Sequence, residues 1–396
     1  MKIAIVHDYL KEFGGAERVL EAMCEIFPDA PIYTAFYQKG SSAWERFKNR
    51  DIRVSWAHYV PFFSTRLHSP LRFLAPWIWG SFDFSEYDVV ITSASWYVTK
   101  GINKSQIANR KSQIEGKNIK PVEVCYCHTP PRWLYGYRTS VEWQRYWPVR
   151  VYASIVGHFM RLYDYQAAQR VSYFIANSEE VKRRIWKFYR REAVVIYPPV
   201  DMKVKSQKST PIESGSKVKS MEEYYFVVAR IVGAKGLDLA VKAAIRKGFK
   251  LKIAGAPAGY SSEYEKLGQL AKDNVEFLGY VSDDELGSLY ANAKAFLALA
   301  QDEDFGITPV ESMMSGIPVI AYKGGGYKET VIDGVTGVFF EKSTVESLID
   351  AIDRFEKMKF DSKDCRKQAE KFSKERFKKE IIAFLDSHGY KTDSHR

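Results

Sequence analysis

The sequence predicts an α/β protein made of two tandem domains, each a parallel sheet flanked by helices, and three observations carry that prediction. The chain has 396 residues, too many for one ordinary hydrophobic core. Short apolar runs alternate with polar or helix-period stretches from end to end, the pattern of strands separated by covering helices. A Lys/Ser-rich stretch without periodicity, Met202 to Glu223, divides that series as a linker or exposed loop would. The expected boundaries are a first domain over 1–199, a connection over 200–223 and a second domain over 224–371. A closing helix and tail over 372–396 complete the chain.

The first series begins with KIAIVHDY, a short buried strand, and passes through Gly14-Gly15 into a helix with apolar positions at Val19, Leu20, Met23 and Ile26. Glycines at such a turn let a phosphate or sugar approach the amides of a helix N-terminus, although the plain reading is a tight turn. Further strands are expected at PIYTAFY, IRVSWAHYV, DVVITSAS, PVEVCYC, YFIANS and AVVIYPPVD, where Pro198-Pro199 stiffen the exit. Val60 to Phe84 mixes bulky apolar residues with Arg66 and Arg72, so it reads as core helix or as an amphipathic face touching lipid headgroups. Gly101 to Lys120 is basic and aperiodic, an exposed loop insertion. The second series runs through YYFVVAR, LKIAGAP, VEFLG, AFLALA, PVIAY and GVFF.

Charge and composition narrow the partners. Residues 1–200 hold 28 Lys+Arg against 18 Asp+Glu, while the remainder holds 31 against 30. All nine tryptophans also lie in the first half, from Trp44 to Trp186. A basic, aromatic half suggests a domain that meets an anionic surface. The run RWLYGYRTSVEWQRYWPVRVY interleaves arginine with Trp and Tyr, which suits carbohydrate stacking, a membrane interface or single-stranded nucleic acid. No apolar run reaches the roughly 18 residues of a membrane span, and the first residues enter a strand directly, so no signal peptide and a cytoplasmic location are expected. Of four cysteines only Cys125 and Cys127 are close, and a strand would point both to one face, as packing prefers. His128 follows them, but no second cluster completes a zinc site.

The densest ligand signal is Gln301 to Glu329. Glu303 precedes Gly306 in a loop, Thr308-Pro309-Val310-Glu311 fits a capping box with Thr308 as N-cap, and three glycines follow at 324–326. Glu311 therefore has a structural reading beside a ligand one. Asp302-Glu303-Asp304 also matches the D-x-D pattern of metal-dependent sugar transferases, but no separate acidic cluster completes a shell, so no metal or other cofactor is expected. Arg230 and Lys235 fall between a strand and the helix after Gly236, where an Arg fork and a Lys point charge suit a diphosphate. His128 stands just past a strand before Pro130-Pro131, where open α/β sheets bind ligands; a satisfied loop histidine is the alternative.

The combination of GGAERVL, HTPPR, ARIVGAKGLDLAVKA, VEFLGYVSDDELGSLYANAKAFL, EDFGITPVE and GIPVIAYKGGGYKETVIDGVTGVFF resembles the family-4 retaining glycosyltransferases of GT-B fold, over nearly the whole chain. HTPPRWLYGY and PPVD look most like mannosyltransferases of bacterial surface polysaccharides and O-antigens. The resemblance implies two Rossmann-like domains facing each other across a cleft that closes on the donor, with the last helix packing back on the first domain. It implies that Arg230 and Lys235 grip the donor diphosphate and that Gly15 lets it approach the first domain. Glu303 would contact the transferred sugar, Glu311 the ribose, and the amides of Phe305 and Gly306 would orient sugar hydroxyls. His128 would stand near the reacting sugar, and Tyr280 and Val281 would hold the base through main-chain contacts. Ser172 stands where many members carry Asp, and the 101–120 insertion puts acceptor handling in doubt.

The expected partners are a nucleotide-sugar donor such as GDP-mannose, a glycan or polyprenyl-diphosphate-linked acceptor, and an anionic membrane touched peripherally. The expected reaction is front-face retention, in which the leaving phosphate oxygen takes the acceptor proton while cations and a helix N-terminus stabilise the diphosphate. A UDP-sugar-dependent transferase or a sugar-nucleotide epimerase on the same fold are the alternatives. A nucleic-acid-binding protein would explain the basic charge but leaves Glu303, Gly306 and the glycine triplet without a purpose.

Overall fold

The computed structural model describes residues 1–102, 121–137, 146–201, 223–256 and 262–391. The described residues form two compact units: unit one holds 1–137 and 146–199 and takes the chain back from Lys374, and unit two lies within Val200–Ser373. The basic stretch over 103–120 and the connection over 202–222 lie outside the described residues.

In unit one the strands are β1 (Ile3–His7), β2 (Ile32–Thr34), β3 (Ile52–Val54), β4 (Val89–Ala94), β5 (Val122–Cys127), β6 (Tyr173–Ala176) and β7 (Val194–Val195). They form one parallel sheet of order β3-β2-β1-β4-β5-β6-β7. Its central strands are buried along their length and rich in Val, Ile and Ala, as strands covered on both faces must be. The helices are α1 (Gly15–Ile26), α2 (Ser42–Phe47), α3 (Ala75–Trp79), α4 (Trp147–Arg170), α5 (Glu179–Tyr189) and the last helix of the chain. That last helix, Lys374–Ser387, sets Phe377, Ile381, Phe384 and Leu385 into the core shared with Val19, Leu20 and Met23 of α1. Lys374 and Lys378 each place Nζ 2.5 Å from the Glu25 carboxylate of α1.

The other face of this sheet carries an aromatic core of Phe36, Phe63, Trp79 and Tyr97, with Met160 and Ala167 of α4. Val60 to Phe84 contributes to that core, but not as one helix. Phe62 adopts φ +61°, Pro76 sits in the first turn of α3, and the segment breaks into short turns that bury Phe63 and Trp79 and expose Phe62 and Trp77. All four cysteines are buried free thiols, and Cys125 and Cys127 share one packing cluster.

Unit two repeats the plan with β8 (Tyr224–Val228), β9 (Lys250–Ala254), β10 (Val275–Gly279), β11 (Ala295–Ala298), β12 (Val319–Tyr322) and β13 (Gly337–Phe340). They form a parallel sheet of order β10-β9-β8-β11-β12-β13. Its helices are α6 (Leu237–Lys247), α7 (Ser262–Leu270), α8 (Asp283–Ala291), α9 (Ile307–Met314), α10 (Tyr327–Thr330), α11 (Val345–Glu356) and α12 (Ser362–Glu370), so the closing helix Lys374–Ser387 is α13. In both sheets the chain winds outward from the first strand in one direction and then in the other. The order reverses between β1 and β4 and between β8 and β11, and such reversals open a crevice at the strands' C-terminal ends.

Candidate active site

The crevice of unit two collects most of the residues singled out in the sequence. Arg230 leaves β8 exposed to solvent, and the chain turns through Gly233–Lys235 before Gly236, at φ +68°, starts α6. From the neighbouring β11 comes the loop 301–306. Lys235 Nζ lies 2.7 Å from Glu303 Oε2, with 29% and 20% of the two side chains exposed. A pair this accessible contributes only about 0–1 kcal/mol to stability, so its position rather than its strength matters. It holds one cation and one carboxylate, both within a ligand's reach, at the point where the strand order reverses.

The Glu303 loop is braced by the glycine triplet. A Cβ on Gly325 would lie 2.2 Å from Glu303 O, one on Gly326 would lie 2.4 Å from Phe305 Cα, and Gly326 N–H donates to Glu303 O at 2.9 Å. These glycines permit backbone-on-backbone packing and keep the loop from sagging away from β11. Gly306 adopts φ +93°, and a Cβ there would meet the Tyr327 ring at 2.8 Å. Phe305 is buried and packs edge-on against Phe372, with ring centroids 5.3 Å apart.

The capping box expected at Thr308 is absent. The left-handed Gly306 turns the chain so sharply that α9 begins at Ile307, with no side chain capping it, and Thr308 falls inside the first turn. Glu311 therefore lies beyond the cap, 2% exposed, and accepts a hydrogen bond from Tyr290 Oη at 2.9 Å. Tyr280 and Val281 follow β10 at the same C-terminal edge, Tyr280 being 79% exposed, before Ser282 caps α8. Arg230, Lys235, Glu303, Gly306 and Tyr280 thus reach one edge of one sheet.

Unit one has its own constellation at its reversal point. His7 ends β1, Ser93 lies in β4 and His128 follows β5; all three are buried. His128 Nε2 is 2.8 Å from Ser93 Oγ, which is 2.9 Å from His7 Nδ1, and His7 Nε2 is 3.3 Å from Glu17 Oε1. The second oxygen of Glu17 accepts from Gly14 N–H at 2.9 Å, tying the chain of bonds to the start of α1, where Gly15 is exposed. A carboxylate beside His7 Nε2 demands a proton there. The Ser93 hydroxyl, able both to donate and to accept, links the His7 and His128 rings. Burial, followed by the neighbouring His7, lowers the His128 pKa to about 4, so the ring is neutral near pH 7.

Two family models together match most of the chain. The Glycosyltransferase Family 4 model matches residues 13–204, and the model for glycosyl transferases group 1 matches residues 209–372. The chain belongs to the glycosyltransferases of GT-B fold.

Among curated relatives, a glycosyltransferase of Methanocaldococcus jannaschii is 26% identical over 56% of this chain and 61% of its own length. The D-inositol 3-phosphate glycosyltransferase of Mycobacterium tuberculosis is 27% identical over 48% of this chain and 42% of its own. The matches thus span about half the length of these relatives. Of solved structures, the Anabaena HepE protein in complex with UDP and glucose superposes with a TM-score of 0.69 at 18% identity, covering 98% of this chain and 100% of that one. Sucrose-phosphate synthase from Thermosynechococcus elongatus superposes with a TM-score of 0.63 at 17% identity, covering 98% of both.

Within this glycosyltransferase, the group 1 match contains the Arg230, Lys235, Glu303 and Glu311 set, and the Family 4 match contains Gly15 and His128. Among the described residues no three His, Cys, Asp or Glu side chains gather as metal ligands. His7, Glu17, Ser93 and Tyr290 are additional to the residues expected from sequence. Glu17 stands three residues after the helix-opening Gly14, the spacing of a capping glutamate. His7 ends a strand as His128 follows one, so the argument that selects His128 selects it too. Ser93 and Tyr290 carried no local signal.

Proposed function

We propose that the protein transfers a hexose, with retention of anomeric configuration and without a metal, from a nucleotide sugar to a glycan or lipid-linked acceptor. GDP-mannose is the first donor of this reading, and surface polysaccharide biosynthesis its setting. The observation that carries it is the Lys235–Glu303 pair, 2.7 Å apart at the sheet's reversal point and open to solvent. Lys235 and Arg230 would take the donor diphosphate, Glu303 the sugar hydroxyls and Glu311 the ribose. The bond from the anomeric carbon to the phosphate oxygen breaks, and the acceptor oxygen bonds to the same face. The acceptor proton passes to the leaving phosphate oxygen. The cations stabilise charge that grows on the diphosphate as this happens.

GDP-mannose, UDP-glucose, UDP-N-acetylglucosamine and UDP-galactose form the first test, because a ligand that binds only the folded protein raises its melting temperature. UDP-sugars are the second arm, prompted by the UDP and glucose of the Anabaena complex. If no nucleotide sugar raises the melting temperature, the assignment is wrong. With the donor known, product NMR reads the anomeric configuration, EDTA tests metal independence, and a sugar trapped covalently on a side chain would refute the front-face step. Interconversion of the donor without transfer would favour an epimerase. Peripheral contact with an anionic membrane on the cytoplasmic side completes the proposal.

A further inference from the structure

Helix α4 has two faces of opposite character. One buries Gly157, Met160, Asp164, Ala167 and Ala168 against the core of unit one. The other exposes Trp147 at 69%, Val151 at 50%, Ile155 at 56%, Phe159 at 65%, Leu162 at 53% and Tyr165 at 45%. The spacing, four residues three times and then three twice, keeps these side chains on one stripe along a helix of 24 residues, about 36 Å long. Together they expose on the order of 600 Å² of apolar surface, the upper end of the largest patches on monomeric proteins, roughly 300–600 Å².

Charge distinguishes the occupants. Asp164 is the only acid in α4, and it is buried in a pair with Lys100 while accepting from Tyr135 Oη at 2.6 Å. Arg150 and Arg161 are exposed and, by helical spacing, line one edge of the stripe. The apolar face is therefore bordered by positive charge that no acid of α4 itself opposes, on the unit that holds the chain's basic excess. Val151, Ile155 and Leu162 supply half the stripe. Aliphatic chains do not stack on bases, which argues against single-stranded nucleic acid. They do suit acyl chains, while Trp147 and Tyr165 carry the amphipathic rings favoured at a bilayer interface. No helix among the described residues is long and apolar enough to cross a membrane. Because its opposite face is committed to the core, α4 can only lie in the plane of the surface.

We propose that the exposed stripe of α4 is a docking surface for an anionic lipid bilayer, with the side chains from Trp147 to Tyr165 in the interface and Arg150 and Arg161 on the headgroups. Tyr152 Oη, bonded to Pro70 O, ties α4 to the segment that exposes Phe62 and Trp77. The proposal deepens the membrane contact suggested above by naming the surface, but it does not depend on the sugar transferred.

The test uses the full chain with phosphatidylcholine vesicles, with and without phosphatidylglycerol. Wild-type protein should co-sediment with the anionic vesicles, and less so as salt rises. The double substitution I155S/F159S should weaken binding at least tenfold, and R150Q/R161Q should remove most of the salt-sensitive part. Brominated lipid should quench tryptophan fluorescence less in Trp147→Phe than in wild type. Nucleotide-sugar thermal shifts, measured in parallel, should be unchanged in every variant, so that failure of lipid docking and failure of the transferase reading are separate results. Equal vesicle binding by wild type and I155S/F159S overturns the proposal. So does a wild-type dimer that I155S/F159S makes monomeric without vesicle binding, which would make the stripe a self-interface. Stripe-dependent capture of a single-stranded oligonucleotide in place of vesicles overturns it too.

Discussion

Replacing Lys235 separates a structural ion pair from a ligand site, because the two roles differ in magnitude. The pair is 29% and 20% exposed, so Lys235→Ala should cost the fold about 1 kcal/mol or less. For a domain of this size that is a melting-temperature change of about 2–4 °C at most. If Lys235 grips a diphosphate, the same substitution removes a hydrogen bond between charged groups, about 1.5–3 kcal/mol. Affinity for a nucleoside diphosphate should then fall roughly 10- to 150-fold. Glu303→Gln should act in the opposite sense on the bare nucleotide. Without its carboxylate, Lys235 no longer has to exchange Glu303 for phosphate, and affinity for GDP or UDP should rise up to about fivefold, the equivalent of 1 kcal/mol. Sugar transfer by Glu303→Gln should still fall, because the group facing the sugar is weakened. Isothermal titration with GDP and UDP, beside thermal denaturation, reads both effects. A folded Lys235→Ala that binds nucleotide like wild type would show that the lysine serves the fold alone, and a Glu303→Gln that binds nucleotide more weakly would refute the exchange of Glu303 for phosphate.

Other substitutions test the framework around that pair. Tyr290→Phe strips the buried Glu311 of its 2.9 Å donor and should destabilise the protein by about 1.5–3 kcal/mol in urea unfolding, before any ligand is added. Gly306→Ala, at φ +93° with the Tyr327 ring 2.8 Å from the new methyl, should cost about 1–3 kcal/mol in the same measurement and lower turnover. Gly325→Ala would drive a methyl to 2.2 Å from Glu303 O, and transfer should fall further than for Gly306→Ala because the glutamate's own backbone must move. His128 gives a pH test with a defined sign. Its pKa is lowered to about 4 in the folded protein, from an ordinary value of 6.5. Between those values the unfolded chain binds a proton that the folded chain refuses, so stability falls as pH drops through this window. The full effect is on the order of 3 kcal/mol. His128→Gln should flatten that part of the stability profile in denaturant melts at pH 4–7.

Each expected strand exists, from KIAIVHDY to GVFF, because buried parallel strands are short apolar runs and such runs are visible without knowing their neighbours. Strand order is not written that way: nothing local in AFLALA says that it pairs with β8, yet that pairing brings Glu303 beside Lys235. Glu303 and Lys235 were legible through loop position, and Glu311 only as a residue of two readings. The capping reading failed on the backbone angle of Gly306, which a capping pattern does not encode. The Ser93 and Tyr290 hydroxyls escaped for a plainer reason. Their partners lie 35 and 21 residues away, and a hydroxyl inside an apolar run looks the same whether or not it meets one.

The glycine triplet has a consequence for how the site works without its ligand. A cation meant for a diphosphate is a liability when the diphosphate is absent, since it can fold onto any nearby carbonyl and must later be pulled free. Glu303 provides Lys235 with a defined resting partner, and Gly325 and Gly326, packed on the Glu303 backbone, keep that partner in place. The lysine is therefore aimed and only weakly held, and in the proposed donor site an arriving diphosphate would exchange one anion for another instead of reorganising a loop. Unit one holds His7 in the same manner, between Ser93 and a Glu17 fixed at the start of α1. In both units a glutamate lies beside a Lys or His at the reversal of the sheet; in unit two glycine lets backbone pack closely enough to hold that glutamate, and in unit one the Gly14 N–H holds it.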